Sequence, residues 1–254
     1  MPSAAFASVP EHEGRRPVPN QNKSTSTAGN SVLASLSAAA AARLKPHCEP
    51  VTLTLGETVI SRATIDHIYF PQSGVLSFGA TRNGNPIEVE VGIAGSEGLA
   101  GLPLFLGVPR SASEVTVKAS GTAIRMKAKP ALAEFWLGGP FQKAILLFAH
   151  ELFQQVSVNT SCHRHHNVEQ RLSRWLLMMH DRVDGNSLQL TRQFLGVTLG
   201  VRNQAVSGAA IALQRRGAIH YSRGTIKIIN RKKLEAAACA CYALVARKTG
   251  RAVR

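Results

Sequence analysis

Several features that would mark other classes of protein are missing from this sequence. No apolar run approaches the roughly 18 residues that a membrane-spanning helix needs, and the N-terminus lacks the basic segment and apolar stretch of a secretory signal. Four cysteines among 254 residues are too few for a disulfide framework. No nucleophile elbow, HExxH helix, phosphate-binding loop or dinucleotide fingerprint occurs. We therefore expect a cytoplasmic chain that makes no membrane contact and is not an enzyme.

Acidic residues are scarce in one part of the chain only. Residues 191–254 carry thirteen Lys and Arg against a single acid, Glu235, whereas residues 1–190 carry seventeen against fourteen. Positive charge concentrated in this way indicates a polyanionic partner for the C-terminal region. A solvated basic tail would give the same counts, so the residue pattern has to distinguish the two.

The first part of the chain is predicted to begin as a tail and to continue as β-structure. Residues 1–30 are rich in Ser, Pro, Asn and Ala without a hydrophobic period, which is typical of a disordered tail. Residues 31–44 are rich in Ala and Leu and predict a helix that ends before Pro46. Short apolar runs separated by Gly, Pro and Asn then predict strands over 51–55, 67–70, 75–80, 87–93, 114–119 and 122–126.

The spacing of these strands indicates the architecture of the N-terminal part. Asn83 and Gly84 are a strong hairpin signal, and the strand that follows alternates apolar residues with Glu88 and Glu90, as in a half-buried strand. Many short strands without helices between them argue for a barrel or a jelly roll. The predicted fold class is α+β, with an N-terminal β-barrel or jelly roll over residues 31–139.

A long helix is predicted after a break at residues 138–140. Pro130 opens a shorter helix that runs to Trp136. Beyond the break, apolar residues recur every three or four positions, as on one face of a helix that runs to about Ser161: Phe141, Ile145, Phe148, Leu152 and Val156. Ala144, Leu147 and Ala149 widen the apolar surface beyond that face. We therefore predict a homodimer through residues 140–161, made by a two-fold symmetric contact, with a hinge that extends to residue 166.

A capped helix is predicted to follow the hinge. Asn167 stands where an N-cap would, and Gln170 stands at the third helical position. One apolar face continues as far as His180, and residues 184–187 read as a turn.

Residues 190–219 carry the pattern of a helix-turn-helix. Thr191 can cap a first helix whose inward residues include Leu195 and Leu199, and Gly200 follows where such a helix must turn sharply. A second helix begins near Arg202 or Asn203, and its inward positions fall at helical spacing: Val206, Ala210 and Leu213. A helical pair in an unrelated core would share this pattern.

The surroundings of the motif favour DNA binding over that alternative. Two short strands surround Ser222, Arg223 and Gly224, which predicts a β-hairpin wing with a basic tip. Motif, wing and positive charge therefore coincide. Gly196 and Gly208 are departures, because a glycine inside a helix weakens it by about 1 kcal/mol relative to alanine.

The DNA-binding interpretation assigns two roles to the polar residues of this region. Base contacts are expected from the exposed start of the second helix, where Arg and amide side chains match guanine and adenine edges: Arg202, Asn203, Gln204 and Ser207. Phosphate contacts are expected from the remaining basic residues: Arg192, Arg215, Arg216, Arg223, Lys227 and residues 231–233.

The order of these elements resembles the Crp/Fnr family of bacterial transcription regulators. The resemblance runs from about residue 33 to 242, and its most specific pieces are residues 68–75, residues 95–102 with 110–112, and residues 190–219. It implies a sensory domain of cyclic-nucleotide-binding fold over residues 31–139, a dimerisation helix and hinge over 140–166, and a winged helix-turn-helix over 167–254. It also implies a homodimer that binds palindromic promoter sites in double-stranded DNA, with RNA polymerase as a further partner.

The effector pocket that this resemblance implies departs from the family pattern. Members that bind cyclic AMP hold it with a Gly-Glu-Leu segment and an Arg-Ser pair. Arg110 and Ser111 match the pair, but Gly98 and Leu99 align with the first segment, so that Leu99 stands where the glutamate belongs and Glu97 lies two positions earlier. An apolar side chain there leaves a ribose hydroxyl unpaired, which is costly for a buried group. We expect no cofactor and no usual cyclic AMP binding, with a cyclic-nucleotide-gated regulator as the alternative.

Cysteine and histidine residues offer two further candidates for a metal or redox site. The cysteines of the Fnr-type iron–sulfur site are absent near the N-terminus, where Cys48 stands alone. Residues 162–166 (Cys-His-Arg-His-His) suggest a metal or redox sensor, but a second segment would have to contribute, and a basic exposed hinge is the favoured interpretation. Cys239 and Cys241 are predicted to lie on a helix that starts at Leu234 and to point in different directions, so we expect free, buried cysteines and no metal site.

Overall fold

The structure is a computed structural model that describes residues 29–80 and 89–246. Most of the predicted tail, the Asn83–Gly84 hairpin and the start of the strand predicted over 87–93 lie outside the described residues. Asn30, which the sequence assigns to the tail, is fully buried and donates hydrogen bonds to the carbonyls of Pro71 (2.8 Å) and Gly98 (2.9 Å).

The first half consists of short helices and two antiparallel sheets. Its helices are α1 (Ser31–Ala34), α2 (Ala38–Leu44), α3 (Leu102–Phe105) and α4 (Ala128–Trp136), with one 3-10 turn over Lys45–His47. Its strands are β1 (Cys48–Leu53), β2 (Thr58–Ile60), β3 (His67–Pro71), β4 (Val75–Ala80), β5 (Val89–Ala94), β6 (Glu114–Ala119) and β7 (Gly121–Lys127). We call the described residues up to 139 the sheet half.

The described residues from 140 onward are mostly helical. They contain α5 (Pro140–His165), α6 (Val168–His180), β8 (Ser187–Gln189), α7 (Arg192–Leu199), α8 (Asn203–Arg215), β9 (Ile219–Ser222), β10 (Thr225–Ile228), α9 (Arg231–Ala237) and α10 (Cys241–Ala246). We call residues 167–246 the winged half. The mixed α+β class is confirmed.

The two sheets enclose a single core without closing into a barrel. One sheet has the order β1-β7-β3 and the other β2-β6-β4-β5. Buried side chains from both sheets share one cluster, which includes Phe70 and Ile124 from the first and Leu76 and Val117 from the second. Of the two predicted architectures, the jelly roll is therefore compatible with the described strands and the closed barrel is not.

The helix predicted over residues 31–44 is two helices. The chain leaves α1 at Ser35, whose hydroxyl donates to the carbonyl of Val32 (2.7 Å), and Ser37 caps α2 by accepting from the amide of Ala40 (3.2 Å). Serine side chains that bond the backbone in this way compete with helix continuation. β2 and α3 were not predicted, because three or four residues carry too little periodicity.

The long helix α5 joins the two halves and covers the free edge of β5. Phe141, Ile145 and Phe148 are buried against the sheets, and the half-buried Leu152 packs there too, which confirms the first part of the predicted inward face. Val156 is only half-buried, and the buried side continues through Gln155, Asn159 and Cys162. On the same side, Gln155 bonds both the amide (2.6 Å) and the carbonyl (3.2 Å) of Ile93, and the Asn159 amide donates to the carbonyl of Val91 (2.7 Å). These side chains satisfy strand groups that would otherwise stand unpaired at a sheet edge.

The C-terminal cysteines lie in a different place from the predicted one. α9 ends at Ala237, Ala238 is extended, and α10 begins at Cys241, so Cys239 lies between two helices rather than inside one. No Gly or Pro marks this break in the sequence. The side chains of Cys239 and Cys241 are buried against Cys162, so tertiary packing overrides the helical propensity of the alanines here.

The two glycines that depart from the helix-turn-helix pattern have different surroundings. A Cβ on Gly208 would meet nothing within 4 Å, whereas one on Gly196 would lie 2.6 Å from Asn203 Oδ1 and 3.0 Å from the carbonyl of Val201. A side chain at Gly196 would therefore crowd the turn between α7 and α8, and the expectation that this glycine only weakens the helix was incomplete.

We expect Gly208→Ala to stabilise the protein by about 1 kcal/mol, because alanine is the better helix former and the site is open. In a chain of this size that gain should raise the midpoint of thermal unfolding by about 2–4 °C. Gly196→Ala is the matched control and should give no gain. Equal midpoints for the two variants would contradict this assignment.

Candidate nucleic-acid interface

The predicted helix-turn-helix is present with its expected caps. The Thr191 hydroxyl accepts from the amide of Phe194 (3.1 Å) at the start of α7, and Gly200 ends that helix in the left-handed region with φ 61°. Leu195, Leu199 and Val206 are buried in the core of the winged half. The two helices therefore meet through the residues that the spacing indicated.

The four predicted base-contact residues lie together at the start of α8. Arg202, Asn203 and Gln204 are exposed, and Ser207 is half-buried one turn further along. The Ser207 hydroxyl donates to the carbonyl of Asn203 (3.0 Å), so it is already engaged with its own helix. The first turn of α8 thus presents a guanidinium and two amides to solvent.

The predicted wing is also present and its tip is basic. β9 and β10 pair in antiparallel register, and Arg223 (φ 47°) and Gly224 (φ 76°) both adopt the left-handed conformation that tight two-residue hairpin turns require. A third strand, β8, extends this sheet and was not predicted.

The predicted phosphate-contact residues differ in the contacts that their side chains make within the protein. Arg215, Arg223 and Lys227 are exposed. The Arg192 guanidinium lies 5.8 Å from the centre of the Tyr221 ring, and Arg216 forms an ion pair with Glu169 (2.9 Å).

Arg231 has a structural role that the sequence did not indicate. Its guanidinium pairs with Asp181 and Glu235, each at 2.8 Å, and donates to the Tyr242 hydroxyl (2.6 Å). These contacts tie α9 to the end of α6, so Arg231 is unsuited to the phosphate contact predicted for residues 231–233. Lys232 and Lys233 are exposed.

The predicted effector residues differ in burial and in their contacts. Leu99 is fully buried in the core, and a Cβ on Gly98 would overlap the Phe148 ring of α5. Glu97 forms an ion pair with Arg182 (2.6 Å), which belongs to the winged half.

The other two members of that set belong to the segment before β6. Arg110 is exposed, and the Ser111 hydroxyl donates to the carbonyl of Ser113 (2.6 Å) within a local turn. A cleft of about 510 Å³ lies between the halves, lined by Glu97, Lys118, Asp184 and Gln189 among others.

A buried carboxylate connects the two halves beside this cleft. Glu90 on β5 accepts hydrogen bonds from the Ser77 hydroxyl (2.7 Å) and from the indole nitrogen of Trp175 on α6 (2.5 Å). The ammonium of Lys118 lies 4.1 Å from the centre of the Phe194 ring on α7. Burial raises the pKa of Glu90 above its ordinary value, and the positive charge of Lys118 opposes this shift without cancelling it.

The contribution of Glu90 to the free energy of unfolding should therefore fall as pH rises. A carboxyl whose folded pKa is raised contributes its full stability below the unfolded pKa of about 4.3 and loses it as pH rises through the folded pKa. Glu90→Gln removes this titration because an amide does not ionise. The variant can keep both hydrogen bonds, since its carbonyl can accept from Trp175 and its amide can donate to Ser77. We expect urea unfolding to show that the stability of the wild type relative to Glu90→Gln decreases from pH 5 to pH 8. Glu57→Gln, at an exposed site, should keep the wild-type profile; parallel profiles for all three would refute the assignment.

Four side chains that could bind a metal meet at the junction of α5 with the winged half. Cys162, His166, Cys239 and Cys241 offer ligand atoms that all lie within 4.8 Å of one another. Two of these residues belong to the sequence cluster 162–166, and the second segment that this cluster needed is residues 239–241. Sequence reasoning missed it because the break after α9 has no local signal.

The polar residues between the halves were missed as well. Gln155 and Asn159 stand one turn apart on the buried side of α5, and this polar pair on an apolar face is the only sequence signal they give.

In the part of the chain that the structure describes, no helix is long and apolar enough to cross a membrane.

Comparisons with known proteins agree with this arrangement. Residues 170–237 match the Crp-like helix-turn-helix domain. Among curated proteins, none matches the sequence. FixK2 from Bradyrhizobium japonicum is similar in structure, with a TM-score of 0.64 at 14% identity over 76% of this chain and 98% of that one.

Two further solved structures are similar to the chain. A transcriptional regulator of the CRP/FNR family from Thermus thermophilus has a TM-score of 0.60 at 14% identity, over 75% of this chain and 98% of that one. The c-di-GMP responsive global regulator CLP from Xanthomonas campestris has a TM-score of 0.58 at 16% identity, over 76% of this chain and all of CLP (100%). The chain therefore contains a Crp-like helix-turn-helix domain and has the fold of the CRP/FNR transcription regulators.

Proposed function

We propose that the protein is a sequence-specific DNA-binding transcription regulator that acts as a homodimer on palindromic promoter sites. The observation that carries the proposal is the start of α8, where Arg202, Asn203 and Gln204 are exposed and the wing has a basic tip. This combination supplies the side chains that read base edges in the major groove together with cations that bind phosphates. The proposed setting is the cytoplasm, with RNA polymerase as a further partner and no catalytic step.

The dimer is supported by the outward face of α5. Leu146, Leu147 and Phe153 are 46%, 54% and 70% exposed, although all three are large and apolar. With 26 residues, the helix is about 39 Å long, enough for an extended contact between two copies. A two-fold contact along α5 would cover these side chains and present two α8 helices to successive half-sites.

The proposed function assigns a separate role to each part of the chain. Residues 31–139 would form the sensory part, residues 140–166 the dimerisation helix and hinge, and residues 167–254 the DNA-binding part. Because Leu99 is buried in the core and Glu97 is paired with Arg182, we propose that the sensory part does not bind cyclic AMP in the usual way. Tight binding of cyclic AMP or cyclic GMP in calorimetry would favour the cyclic-nucleotide-gated alternative.

Selection of bound duplexes from a random DNA pool, followed by mapping of bound sites on the source genome, tests the function. The expected result is an inverted repeat whose half-site centres lie about one helical turn, or about 34–36 Å, apart. Enrichment without any sequence preference would contradict sequence-specific recognition. Enrichment of a single half-site would contradict the dimer.

A further inference from the structure

Two distant segments bring one histidine and three cysteines to the junction between α5 and the winged half. Cys162 lies in the last turn of α5 and His166 caps that helix, so the two side chains, four residues apart, share one face. Cys239 lies in the break between α9 and α10, and Cys241 is the first residue of α10.

The distances within this cluster match a single metal ion. Cys162 Sγ lies 3.5 Å from Cys239 Sγ, and Cys241 Sγ lies 3.6 Å from His166 Nδ1. Tetrahedral zinc, with Zn–S of about 2.3 Å and Zn–N of about 2.0–2.1 Å, separates its ligand atoms by about 3.6–3.8 Å. A multinuclear iron–sulfur cluster places several atoms between its ligands and needs a wider spacing than the 4.8 Å that contains all four.

We propose that Cys162, His166, Cys239 and Cys241 form a four-coordinate zinc site. Three thiolates and one imidazole are a set that structural zinc sites use, and four protein ligands leave no open position for chemistry. This set corrects the sequence expectation that Cys239 and Cys241 point apart, because the end of α9 at Ala237 frees both to turn toward α5.

The charges around the cluster support an anionic centre. Arg171 and Arg174 on α6 are buried, and neither forms an ion pair within the part of the chain that the structure describes. Other guanidinium nitrogens donate to the carbonyl of Leu199 from Arg171 and to Asn159 Oδ1 from Arg174, but the Nε atom of each has no hydrogen-bond partner among the described residues. Both guanidiniums interact electrostatically with the thiol of Cys162. Zinc with three thiolates carries one net negative charge, which would balance a buried guanidinium that is otherwise costly.

The position of the site gives it a consequence for DNA binding, which rests on the proposed function. The metal would fix the end of α5 to the end of the winged half, and hence fix the orientation of α8 relative to the dimer helix. Metal content and coordination are measured without DNA, so a failure of the zinc site and a failure of DNA binding are distinguishable.

Metal analysis of the full chain, purified from cells supplied with zinc, is the first test. We expect about one zinc per chain in the wild type and less than about a tenth of that in Cys241→Ser and in His166→Asn, because each lacks one of four ligands. Cys48→Ser and His165→Asn are the matched controls and should keep the metal. A metal-free wild type, iron in place of zinc, a Cys162–Cys239 disulfide, or equal zinc loss in Cys48→Ser would overturn the proposal.

Cobalt substitution keeps the test independent of variants that fail to fold. The reduced wild type loaded with Co²⁺ should show the visible bands of tetrahedral cobalt and a thiolate-to-cobalt band in the near ultraviolet. His166→Cys should still bind the metal and should strengthen that band by about one third, as a fourth thiolate joins three. An octahedral cobalt spectrum in the wild type would overturn the proposal.

Discussion

Replacing Leu147 and Phe153 together by Glu is expected to turn the protein into a monomer and to lower its affinity for an inverted-repeat site by about a hundredfold or more. Both side chains are more than half exposed on α5, so their loss should leave the fold of each chain intact. In the proposed dimer, carboxylates at these positions would face each other across the two-fold contact and repel. A monomer binds one half-site at a time and loses the gain from joining two binding events.

Light scattering at micromolar protein concentration, with thermal unfolding as a check on the fold, measures the first effect. Leu106→Glu is the matched control, because Leu106 is 57% exposed but follows α3 on the sheet half. It should stay dimeric. A monomeric wild type, or a dimeric double variant with unchanged DNA affinity, would disprove the assigned interface.

Asn203→Ala and Gln204→Ala should relax the sequence preference, whereas Arg223→Ala should weaken binding to all duplexes alike. A good bidentate contact to a base contributes about 1–3 kcal/mol of discrimination, so each amide variant should lose about 5–150-fold on the preferred site and little on random DNA. Arg223 lies at the wing tip, and if it binds a phosphate as proposed, its loss should reduce the slope of log affinity against log salt by about 1.

A gel-shift series over several salt concentrations, with the selected site and a scrambled duplex, separates these two roles. Lys129→Ala removes an equally exposed positive charge from α4 and should change neither the preference nor the slope. Uniform weakening by Asn203→Ala together with altered preference in Arg223→Ala would invert the assignment of roles.

The parts of the fold that sequence reasoning predicted are those with local, repeated signals. Leu195, Leu199 and Val206 recur at helical spacing within a dozen residues, and Gly200 supplies the left-handed turn between their helices. The motif can therefore be recognised without knowledge of the remainder of the fold. α5 can be predicted from the sequence in the same way, because its buried face spans several turns.

The parts that were missed depend on residues far apart in the chain. The Glu90–Trp175 hydrogen bond joins residues 85 positions apart, and Cys162 meets Cys239 across 77 positions. Neither pair can be inferred from spacing, because each depends on how the winged half packs against α5 and β5. The break after Ala237 is a consequence of the same packing, and it is why two cysteines predicted to diverge lie side by side.

The core of the winged half is not made of its own residues alone. Val75 on β4 and Ile93 on β5 are buried in the same cluster as Leu172, Trp175 and Leu199. A domain that could be exchanged between different proteins by recombination would be expected to form its hydrophobic core from its own residues. Here a recombination event that transferred residues 167–246 to another sensor would leave that core incomplete unless the new partner offered two apolar side chains at matching places. The two halves are therefore expected to have diverged together, as one inherited unit.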